Sequence, residues 1–539
     1  MIAFFINSFI TVHSTGDFKI NGFTYDKRFL KSISGYVMQD DLLHSHFTVL
    51  ETLMYTAELR LPCGTSYEVC AKRVEEVIKA VDIEHCKDVT VGDTRHKGIS
   101  GGERKRLCIA MELLTKPKLL FLDEPTSGLD SANAYAVVNV LKDIVKSGDC
   151  TVICTIHQPQ SKIFNLFDDL ILMKSGQIAY QGKAIDAINY FEKKGFPFPP
   201  LTNPADHLID ILAENKSNTL PNTGVSKEFK APLDTNYEHT SLMIDLTKFS
   251  PWWKQFTVLL RRSFHTHIRR WDVIAMNVFV TMLVSTFVSM SVWYEIGTHQ
   301  ASSSKRLPAL FFSVIHQGIV SSLQGTHSFP LERNIMLRER AAGTYYVSAY
   351  FLGKTMADMI VQLIGPIIYT CMVYPLVGFR PFVKKFFIFM GFMILDSAAA
   401  TSLSNMISCV FVSIEMSTVI LACAYEICRL YGGWFISPAL LGDYPEWRFA
   451  DALSYIKYSF VGVALNEFDG LNLTCLESEL APDGSCKMPP IAAAPFNGDA
   501  YNAYYGYDRF TIGFCAGTLV LYIVCCRIIS YLGLRYIKV

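Results

Sequence analysis

Two stretches are the most informative about the N-terminal part of the chain: Ile99-Ser100-Gly101-Gly102-Glu103-Arg104-Lys105-Arg106 and Leu119-Leu120-Phe121-Leu122-Asp123-Glu124-Pro125. The first stretch places Ser-Gly-Gly at the start of a helix, where free backbone N–H groups at the positive end suit a phosphate. The second is a short apolar strand that ends in two carboxylates, and α/β proteins form their sites at such strand ends. Together the two stretches predict an α/β domain with an anion site.

Other strands and helices can be predicted on either side of these stretches. Short apolar runs at residues 118–122, 151–156 and 170–173 are bounded by polar residues, which is typical of buried parallel strands. Apolar residues recur at helical spacing in 67–80 and 103–114. Strands that alternate with helices indicate an α/β fold.

Four polar side chains lie close to predicted strands and carry the chemistry. Asp123 can hold Mg²⁺ directly or through water, and Gln39 can add a neutral oxygen ligand. Glu124 is placed to polarise an attacking water. His157 follows the second apolar run and can contact a terminal phosphate.

The composition indicates a second, membrane-embedded part. The chain has 539 residues, too many for one compact domain, and hydrophobic residues make up 50% against 18% charged. Lys+Arg and Asp+Glu both number 49, which argues against a nucleic-acid binder that relies on overall charge. The 15 cysteines are scattered and odd in number, which argues against a disulfide-framework protein.

Six apolar stretches after Trp271 are long enough to cross roughly 30 Å of hydrocarbon as helices. They are residues 273–294, 307–327, 355–377, 386–412, 416–436 and 510–533. Basic residues before the first stretch, among them Arg261 and Arg262, place the N-terminal domain in the cytosol. Residues 437–509 then form a large extracellular loop.

The predicted outer loop carries two features of an extracellular segment. Asn472-Leu473-Thr474 is a glycosylation sequon, and Cys475 and Cys486 are close enough in sequence to form a small disulfide loop. Either feature could arise by chance, but their coincidence in one loop favours glycosylation at Asn472 and a Cys475–Cys486 disulfide.

The motifs, in their order, resemble those of ATP-binding cassette transporters. ISGGERKR resembles the signature, LLFLDEP the Walker B strand, SGLD at 127–130 the D-loop and TIHQP at 155–159 the switch histidine, and the Gln39 segment resembles the Q-loop. The order of the domains, cassette first, resembles the G subfamily, the white and breast-cancer-resistance type. So do three further stretches, Asn203–Asp206, Arg338–Tyr345 and Asn466–Phe468.

This resemblance implies the architecture and the site residues. It implies an α/β P-loop NTPase-like cassette over residues 1–213, a linker over 214–250 and an all-α transmembrane domain of six helices over 251–539. ATP and Mg²⁺ are the implied cofactors, with Glu124 and His157 as catalytic residues and Gln39 and Asp123 as metal ligands. The implied contacts to ATP are Gln39, Ser100, Gly101, Gly102, Glu103, Asp123 and Asp130.

One family motif, the Walker A pattern Gly-x-x-x-x-Gly-Lys-Ser/Thr, does not occur in the 539 residues. By the family's spacing it belongs at or before residue 1. Two interpretations stay open: an ordinary transporter truncated at its N-terminus, or a degenerate subunit that does not hydrolyse ATP and regulates or heterodimerises with an active partner. In a heterodimer, the intact partner's phosphate loop would face Ser100–Glu103.

The family resemblance also implies a function. The implied function is ATP-driven export of lipid-like, sterol or other amphipathic small molecules by a dimer of half-transporters, either a homodimer or a heterodimer. The expected location is the plasma membrane, where the protein contacts membrane lipids. No nucleic-acid partner is expected. Phe311, Phe312 and His316 are candidate cargo-cavity residues, although the two phenylalanines could instead face lipid. Glu426 and Arg429 lie three residues apart on one helix, and they either neutralise each other or line the cargo path.

Overall fold

The computed structural model describes the greater part of the chain. The described residues are 19–20, 23–24, 27–93, 96–199, 202–214, 250–299, 303–330, 332–411, 413–440, 445–472, 474 and 498–536. The predicted linker falls almost wholly outside these ranges, and so do Cys475 and Cys486 of the predicted disulfide.

The chain divides into two units. The first comprises the residues up to Val258 together with Leu337–Tyr346, and the second comprises Leu259–Met336 and the residues from Val347 to Lys538. Each unit is described below by itself.

A parallel three-stranded sheet lies at the centre of the first unit. Its strands are β3 (Ser34–Val37), β4 (Leu119–Leu122) and β5 (Thr151–Cys154), in the order β3-β4-β5. Leu122 pairs with Val37 on one side and with Cys154 on the other, so the three strands end level with one another. Parallel strands with a buried, apolar centre confirm the α/β prediction for this region.

The prediction of a parallel strand at 170–173 is wrong. These residues belong to β6 (Asp169–Lys174), which pairs antiparallel with β7 (Gln177–Lys183). Ser175 and Gly176 between the strands both have positive φ, 48° and 81°, and a two-residue turn of this kind returns the chain as a hairpin. The other antiparallel pair consists of β1 (Lys19–Ile20) and β2 (Phe23–Thr24).

Helices surround the sheet of the first unit. They are α1 (Lys27–Ile33), α2 (Val49–Arg60), α3 (Tyr67–Ala80), α4 (Gly101–Leu113), α5 (Ser131–Lys146), α6 (Ser161–Phe164), α7 (Asp186–Lys193) and α8 (Pro204–Glu214). The helix predicted at 67–80 is confirmed as α3, which buries Cys70, Val74, Val77 and Ile78 at helical spacing. The helix predicted at 103–114 is confirmed as α4, which begins earlier because Ser100 caps it.

The segment Leu337–Tyr346 belongs to the first unit although it lies far along the chain. The Arg338 guanidinium donates to the carbonyl oxygen of Leu42. The Tyr345 hydroxyl donates to Glu339 Oε2 at 2.7 Å, and the Tyr346 N–H donates to Gln255 Oε1 at 2.9 Å. The Arg338 contact therefore ties this segment, singled out by its family resemblance, to the cassette, and the Tyr346 contact ties it to the helix that contains Gln255.

The remaining helices continue in order along the chain. They are α9 (Trp252–Arg269), α10 (Trp271–Ser291), α11 (Ser303–Ser328), α12 (Arg333–Ala341), α13 (Val347–Gln362), α14 (Ile364–Val377), α15 (Val383–Val410), α16 (Ile414–Leu430), α17 (Arg448–Leu453), α18 (Tyr455–Phe468), α19 (Gly498–Tyr505) and α20 (Ile512–Tyr536).

Within the described residues, five helical segments are long and apolar enough to cross a membrane. They are Trp271–Ser291, Lys305–Thr326, Val347–Val377, Val383–Val410 and Ile512–Tyr536. The stretch predicted at 416–436 corresponds to α16, which has 17 residues and lies at the short end of what spans a bilayer.

Small polar residues hold α11 and α15 close together in the second unit. Ser321 Oγ lies 2.7 Å from Ser397 Oγ, and Thr326 Oγ1 lies 2.8 Å from Ser404 Oγ. A Cβ on Gly325 would lie 2.9 Å from Thr401 Cγ2, so a larger residue there would force the helices apart. Small residues that let two backbones approach are typical of membrane helix pairs.

The segment 437–509 is more than the loop that the sequence predicts. It contains α18, a helix of 14 residues that are all buried. An apolar run of this length is too short to be recognised as a membrane span, but it is long enough for a core helix. Asn472, the predicted glycosylation site, is exposed four residues after this helix ends.

Candidate nucleotide site

The candidate catalytic residues follow the three paired strands of the first unit. Gln39 comes two residues after β3, Asp123 and Glu124 directly after β4, and Thr155 directly after β5. The Asp123 N–H donates to Val37 O and the Thr155 N–H donates to Leu122 O, so the parallel register continues past the strand ends. The sheet thereby brings residues from three distant stretches of sequence to one edge.

Asp123 is held at both carboxylate oxygens. Its Oδ1 accepts a hydrogen bond from the Thr155 hydroxyl at 2.7 Å, and its Oδ2 accepts one from the Tyr36 hydroxyl at 3.2 Å. Burial, together with the neighbouring Asp123 charge, raises the pKa of Tyr36 to about 12, so this phenol stays a proton donor near neutral pH. The Asp123 side chain is therefore oriented before any ligand binds.

Glu124 has an unusual backbone conformation. Its φ is 41°, a left-handed value that costs a residue other than glycine about 1–3 kcal/mol. Its N–H donates to Thr155 Oγ1 at 2.9 Å, and its Oε2 accepts from Gln39 Nε2 at 2.8 Å. These two bonds stabilise the strained position and link the predicted base to the predicted metal ligand.

Lys105 links α4 to the segment that contains Gln39. Its side chain is buried, and its Nζ donates to the carbonyl oxygens of Gln39 at 2.8 Å and Met38 at 3.3 Å. The same Nζ lies 2.7 Å from Asp41 Oδ1. The helix that starts with the Ser-Gly-Gly turn thus also fixes the strand end at Gln39.

The start of α4 is closed by a reciprocal cap. The Ser100 N–H donates to Glu103 Oε2 at 2.6 Å, the Glu103 N–H donates to Ser100 Oγ at 3.3 Å, and His85 Nε2 lies 2.6 Å from Glu103 Oε1. Burial raises the pKa of Glu103, but the contacts with Ser100 and His85 outweigh burial and hold this pKa below its ordinary value. The Glu103 carboxylate is therefore occupied by contacts within its own chain.

The D-loop residues pack beside the start of α4. Asp130 caps α5 by accepting from the Asn133 N–H at 3.4 Å. A Cβ on Gly102 would lie 2.8 Å from Asn133 Oδ1, and one on Gly101 would lie 3.2 Å from Leu129 Cδ2. Glycine at 102 thus permits a close approach of the two helices.

The predicted nucleotide residues fall into two groups. One is the strand-end cluster, formed by Gln39, Asp123 and Glu124 with Tyr36 and Thr155. The other is the signature cluster, which comprises Ser100–Glu103 and Asp130. Among the described residues, no hydrogen bond joins one cluster to the other.

His157 is exposed three residues beyond β5. The described part of the chain shows no hydrogen bond between His157 and Asp123 or Glu124. Gln158 beside it has a φ of 47°, so this loop, like the one at Glu124, contains a left-handed residue other than glycine.

Three residues of the site were not among the predicted ones: Tyr36, Lys105 and Thr155. Thr155 could have been found, because a residue that directly follows one parallel strand lies beside the residue that directly follows the next. Nothing in the sequence pattern indicates that Lys105 turns inwards, since lysine is seldom buried.

The strand-end cluster fits a magnesium nucleotide by its donor chemistry. It offers carboxylate and amide oxygens, which are the ligands that Mg²⁺ prefers. Asp123 and Gln39 would hold the ion, which would neutralise negative charge on the phosphates.

The candidate cargo residues lie in the second unit at different depths. Phe311 is buried, with its ring centroid 5.1 Å from that of Phe460. The Phe312 and His316 rings stack with centroids 5.9 Å apart, and the His316 ring lies 5.3 Å from that of Tyr369.

Glu426 and Arg429 form an ion pair with each other. Arg429 Nη2 lies 2.5 Å from Glu426 Oε2, and the side chains are 43% and 59% exposed respectively. A different pair, which was not predicted, is buried: Arg306 donates to Glu467, with 1% and 2% of the side chains exposed. Arg306 also donates to the carbonyl oxygens of Ile296 at 2.9 Å and Gly297 at 3.1 Å.

Comparison with known protein families accounts for both units. Residues 7–127 match the family described as ABC transporter, and residues 254–468 and 157–234 match two families described as ABC-2 type transporter.

Individual relatives extend over nearly the whole chain. The chain is 30% identical to the broad substrate specificity ATP-binding cassette transporter ABCG2 of Mus musculus, over 97% of this chain and 83% of that protein. It is 31% identical to the protein of the same name from Bos taurus, with the same coverage. It is 29% identical to Protein white of Drosophila melanogaster, over 98% of this chain and 77% of that protein.

The expected order of a cassette followed by a helical membrane domain is thereby confirmed. The apolar helices and the membrane-family match make the chain an integral membrane protein with a cytosolic cassette. The chain therefore belongs to the G subfamily of ATP-binding cassette transporters.

Proposed function

We propose that this chain is one half of a dimeric, ATP-driven exporter of amphipathic or apolar small molecules, with lipid-like compounds and sterols as the cargo class. The observation that carries the proposal is the strand-end cluster, in which Gln39, Asp123, Glu124 and Thr155 are joined by direct hydrogen bonds. The broad substrate specificity named for the mouse and cattle relatives supports a class of cargo rather than a single compound. We place the dimer in the plasma membrane.

Each residue of the strand-end cluster has a role in this proposal. Glu124 acts as the general base and orients the attacking water, with its carboxylate steered by Gln39. Thr155 fixes the Glu124 backbone and the Asp123 carboxylate at the same time. Asp123 and Gln39 bind Mg²⁺, and His157, exposed at the same sheet edge, contacts the terminal phosphate.

The separation of the two clusters supports a dimer. In the transporter family each ATP lies between the phosphate loop of one subunit and the signature of the other. The signature cluster here has Ser100 and Gly101 exposed at the start of α4, so it can receive phosphates bound by a second cassette. The second subunit can be another copy of this chain or a different half-transporter.

Other proposed features concern the membrane domain. The segment Leu337–Tyr346, tied to the cassette through Arg338 and Leu42, couples ATP turnover to the membrane helices. Phe312 and His316 contribute to the cargo path. Asn472 is glycosylated, and Cys475 and Cys486 form a disulfide.

Replacement of Glu124 by glutamine tests the enzymatic part of the proposal. The full chain is purified in lipid nanodiscs, alone and together with an intact half-transporter, and ATP hydrolysis is measured with Mg²⁺. Glu124→Gln should lower turnover by about 100-fold or more, because it removes the general base. Glu76→Gln, at an exposed position on α3, serves as the matched control and should leave turnover unchanged.

The same preparation distinguishes the alternative function. If the chain is inactive alone, and turnover of the mixed dimer is lost with Ser100→Arg but kept with Glu124→Gln, the chain assists its partner without hydrolysing ATP. If neither substitution changes turnover, the assignment of both clusters is wrong.

A further inference from the structure

Helix α15 contains a buried aspartate whose carboxyl has no hydrogen-bond partner among the described residues. Asp396 is 0% exposed, and both of its carboxyl oxygens lack a partner. Asp358 of α13 is also buried, but it accepts from the Ser328 hydroxyl at 2.6 Å and lies 2.8 Å from His267 Nε2. Both aspartates are buried, but Asp358 has a histidine and a hydroxyl within hydrogen-bond distance, whereas only the Ser459 hydroxyl lies near Asp396.

Hydroxyl groups from neighbouring helices lie around Asp396. Ser459 of α18 faces the carboxyl, and Tyr455 lies one turn away on the same helix face. The hydroxyls of both are buried without a completed hydrogen bond. A Cβ on Gly318 of α11 would lie 3.1 Å from the Tyr455 hydroxyl oxygen and 3.4 Å from that of Tyr425, so the two phenols converge there.

Most of the cations on the helices packed against α15 have other partners. Arg527 of α20 donates to Ser402 Oγ at 2.9 Å, six residues further along α15 than Asp396. The remaining pairings are Lys354 with Glu332, Arg306 with Glu467, Lys457 with Asp451, Arg429 with Glu426, and Lys385 with the carbonyl oxygens of Asn466 and Asp469.

Uncharged titratable groups complete these surroundings. Tyr425 of α16 donates to Ile315 O at 2.6 Å, and Tyr369 of α14 donates to Ser313 Oγ at 3.2 Å. The His316 ring of α11 lies against Phe312 and Tyr369. Further titratable side chains on the neighbouring helices include Tyr455, Cys428, Cys515, Tyr522 and Cys526.

A neutral carboxyl suits these surroundings and an ionised one does not. An unpaired carboxylate in a buried core is strongly unfavourable, and in practice such a group takes up a proton. A protonated carboxyl gains one O–H donor, and a hydroxyl such as that of Ser459 can accept it. The proton therefore supplies a hydrogen bond that the described residues otherwise leave unmade.

We propose that Asp396 is a proton-binding site of the membrane domain and that it is a neutral carboxylic acid in the packing described here. Its O–H donates to the Ser459 hydroxyl. Loss of the proton leaves a negative charge beside Tyr425 and Tyr455 without a counter-ion, which weakens the contact between α15 and α18. The stability of the bundle falls as the pH rises, because folding retains a proton that the unfolded chain releases to water.

Infrared spectroscopy of the full chain in nanodiscs tests for the proton directly. The wild type at neutral pH should show a carboxylic-acid C=O band that shifts in D₂O and disappears on alkaline titration. Asp396→Asn should lack this band, whereas Asp358→Asn, the matched control at the paired aspartate, should retain it. Ser459→Ala should shift the band, because the acceptor of the O–H is removed.

Other infrared results would overturn the proposal. One is a wild-type spectrum without such a band, and another is a band that survives in Asp396→Asn. A third is a band that is seen only after sodium is removed, which would mean that a sodium ion and not a proton occupies the carboxyl. The wild-type titration gives a result even if Asp396→Asn fails to fold.

Thermal unfolding gives an independent readout. The melting temperature of the wild type should fall as the pH rises from about 4, the ordinary aspartate pKa, through neutral, and Asp396→Asn should lose most of that dependence because its amide cannot ionise. Asp358→Asn should keep the wild-type dependence, and equal dependence in all three proteins would contradict the proposal. Neither measurement uses ATP or cargo, so failure of the proposed transport function would leave both readable.

Discussion

The polar groups of the cassette and those of the membrane unit are stabilised in different ways. The Gln39–Glu124 hydrogen bond lies at an exposed sheet edge, where a ligand can replace one of the partners. The Arg306–Glu467 pair lies in a closed core, and Arg306 also donates to carbonyl oxygens of its own unit. Contacts such as the one in the cassette can therefore be exchanged during a reaction cycle, whereas this membrane pair maintains the packing.

Breaking the buried pair should give the largest effect. Glu467→Gln leaves Arg306 charged in the core, and removal of one partner of a buried ion pair costs about 3–5 kcal/mol. We expect a large loss of folded protein, measured by thermal unfolding and by the monodisperse yield in detergent.

Two further variants test whether the charge is the cause. The double variant Arg306→Met with Glu467→Met should be more stable than Glu467→Gln, because no unpaired charge remains. Lys305→Gln, at the exposed neighbouring position, should behave as the wild type. A double variant that is no better than the single one would show that shape rather than charge dominates.

Removal of the hydroxyl that joins the strand-end cluster should give an intermediate effect. Thr155→Val leaves the Glu124 N–H and Asp123 Oδ1 each without a partner, and because both are only half-buried each should cost less than the about 1–3 kcal/mol of a fully buried unsatisfied group. The melting temperature should therefore fall, and ATP turnover should fall because the Glu124 backbone is no longer fixed.

The conservative variant and a neighbouring threonine are the controls for Thr155. Thr155→Ser should restore most of the turnover, since it keeps the hydroxyl, and Thr151→Val at the exposed start of β5 should change little. Equal losses in Thr155→Val and Thr155→Ser would show that the methyl group rather than the hydroxyl is needed.

The exposed membrane pair should give the smallest effect on stability. Glu426→Gln should change the free energy of unfolding by no more than about 0.5 kcal/mol, because exposed pairs three or four residues apart contribute little. Transport of a charged and of an uncharged amphipathic dye decides between the two interpretations of the pair. Altered selectivity between the dyes at unchanged stability would place the pair in the cargo path, and unchanged selectivity would leave it as mutual neutralisation.

The site of the cassette could be predicted from the sequence more fully than the buried pair of the membrane unit. The parallel strands and the Asp123–Glu124 edge could be predicted because strand, turn and carboxylates are neighbours in sequence. Arg306 and Glu467 are separated by 161 positions and meet only through tertiary packing, so no local pattern indicates the contact. The hairpin at 169–183 was missed because an apolar run of this length does not reveal the direction of its partner.

The membrane spans and the helix α18 show the limits of hydropathy. Long apolar stretches predict spans whatever their partners are, and among the described residues helices of sufficient length and apolarity occur at five of the six predicted positions. Helix α18 is apolar but only 14 residues long, and its burial depends on helices that surround it in space. Asp396 could be recognised in the sequence as a charge within a span. Its lack of a counter-ion could not, because it depends on the partners that the neighbouring cations have in the folded structure.

Helix α4 connects the two clusters of the cassette, because Ser100 lies at its start and Lys105 of the same helix contacts Gln39. Ser100, at the start of the helix, and Lys105, which holds the Gln39 carbonyl, are separated by about 7 Å of continuous helix. A displacement of the Ser100 end of α4 is therefore expected to affect the loop from Gln39 to Leu42. The Leu42 carbonyl oxygen in this loop accepts a hydrogen bond from Arg338. In the proposed dimer, a contact made at Ser100 would therefore lie one helix and one loop away from the segment Leu337–Tyr346.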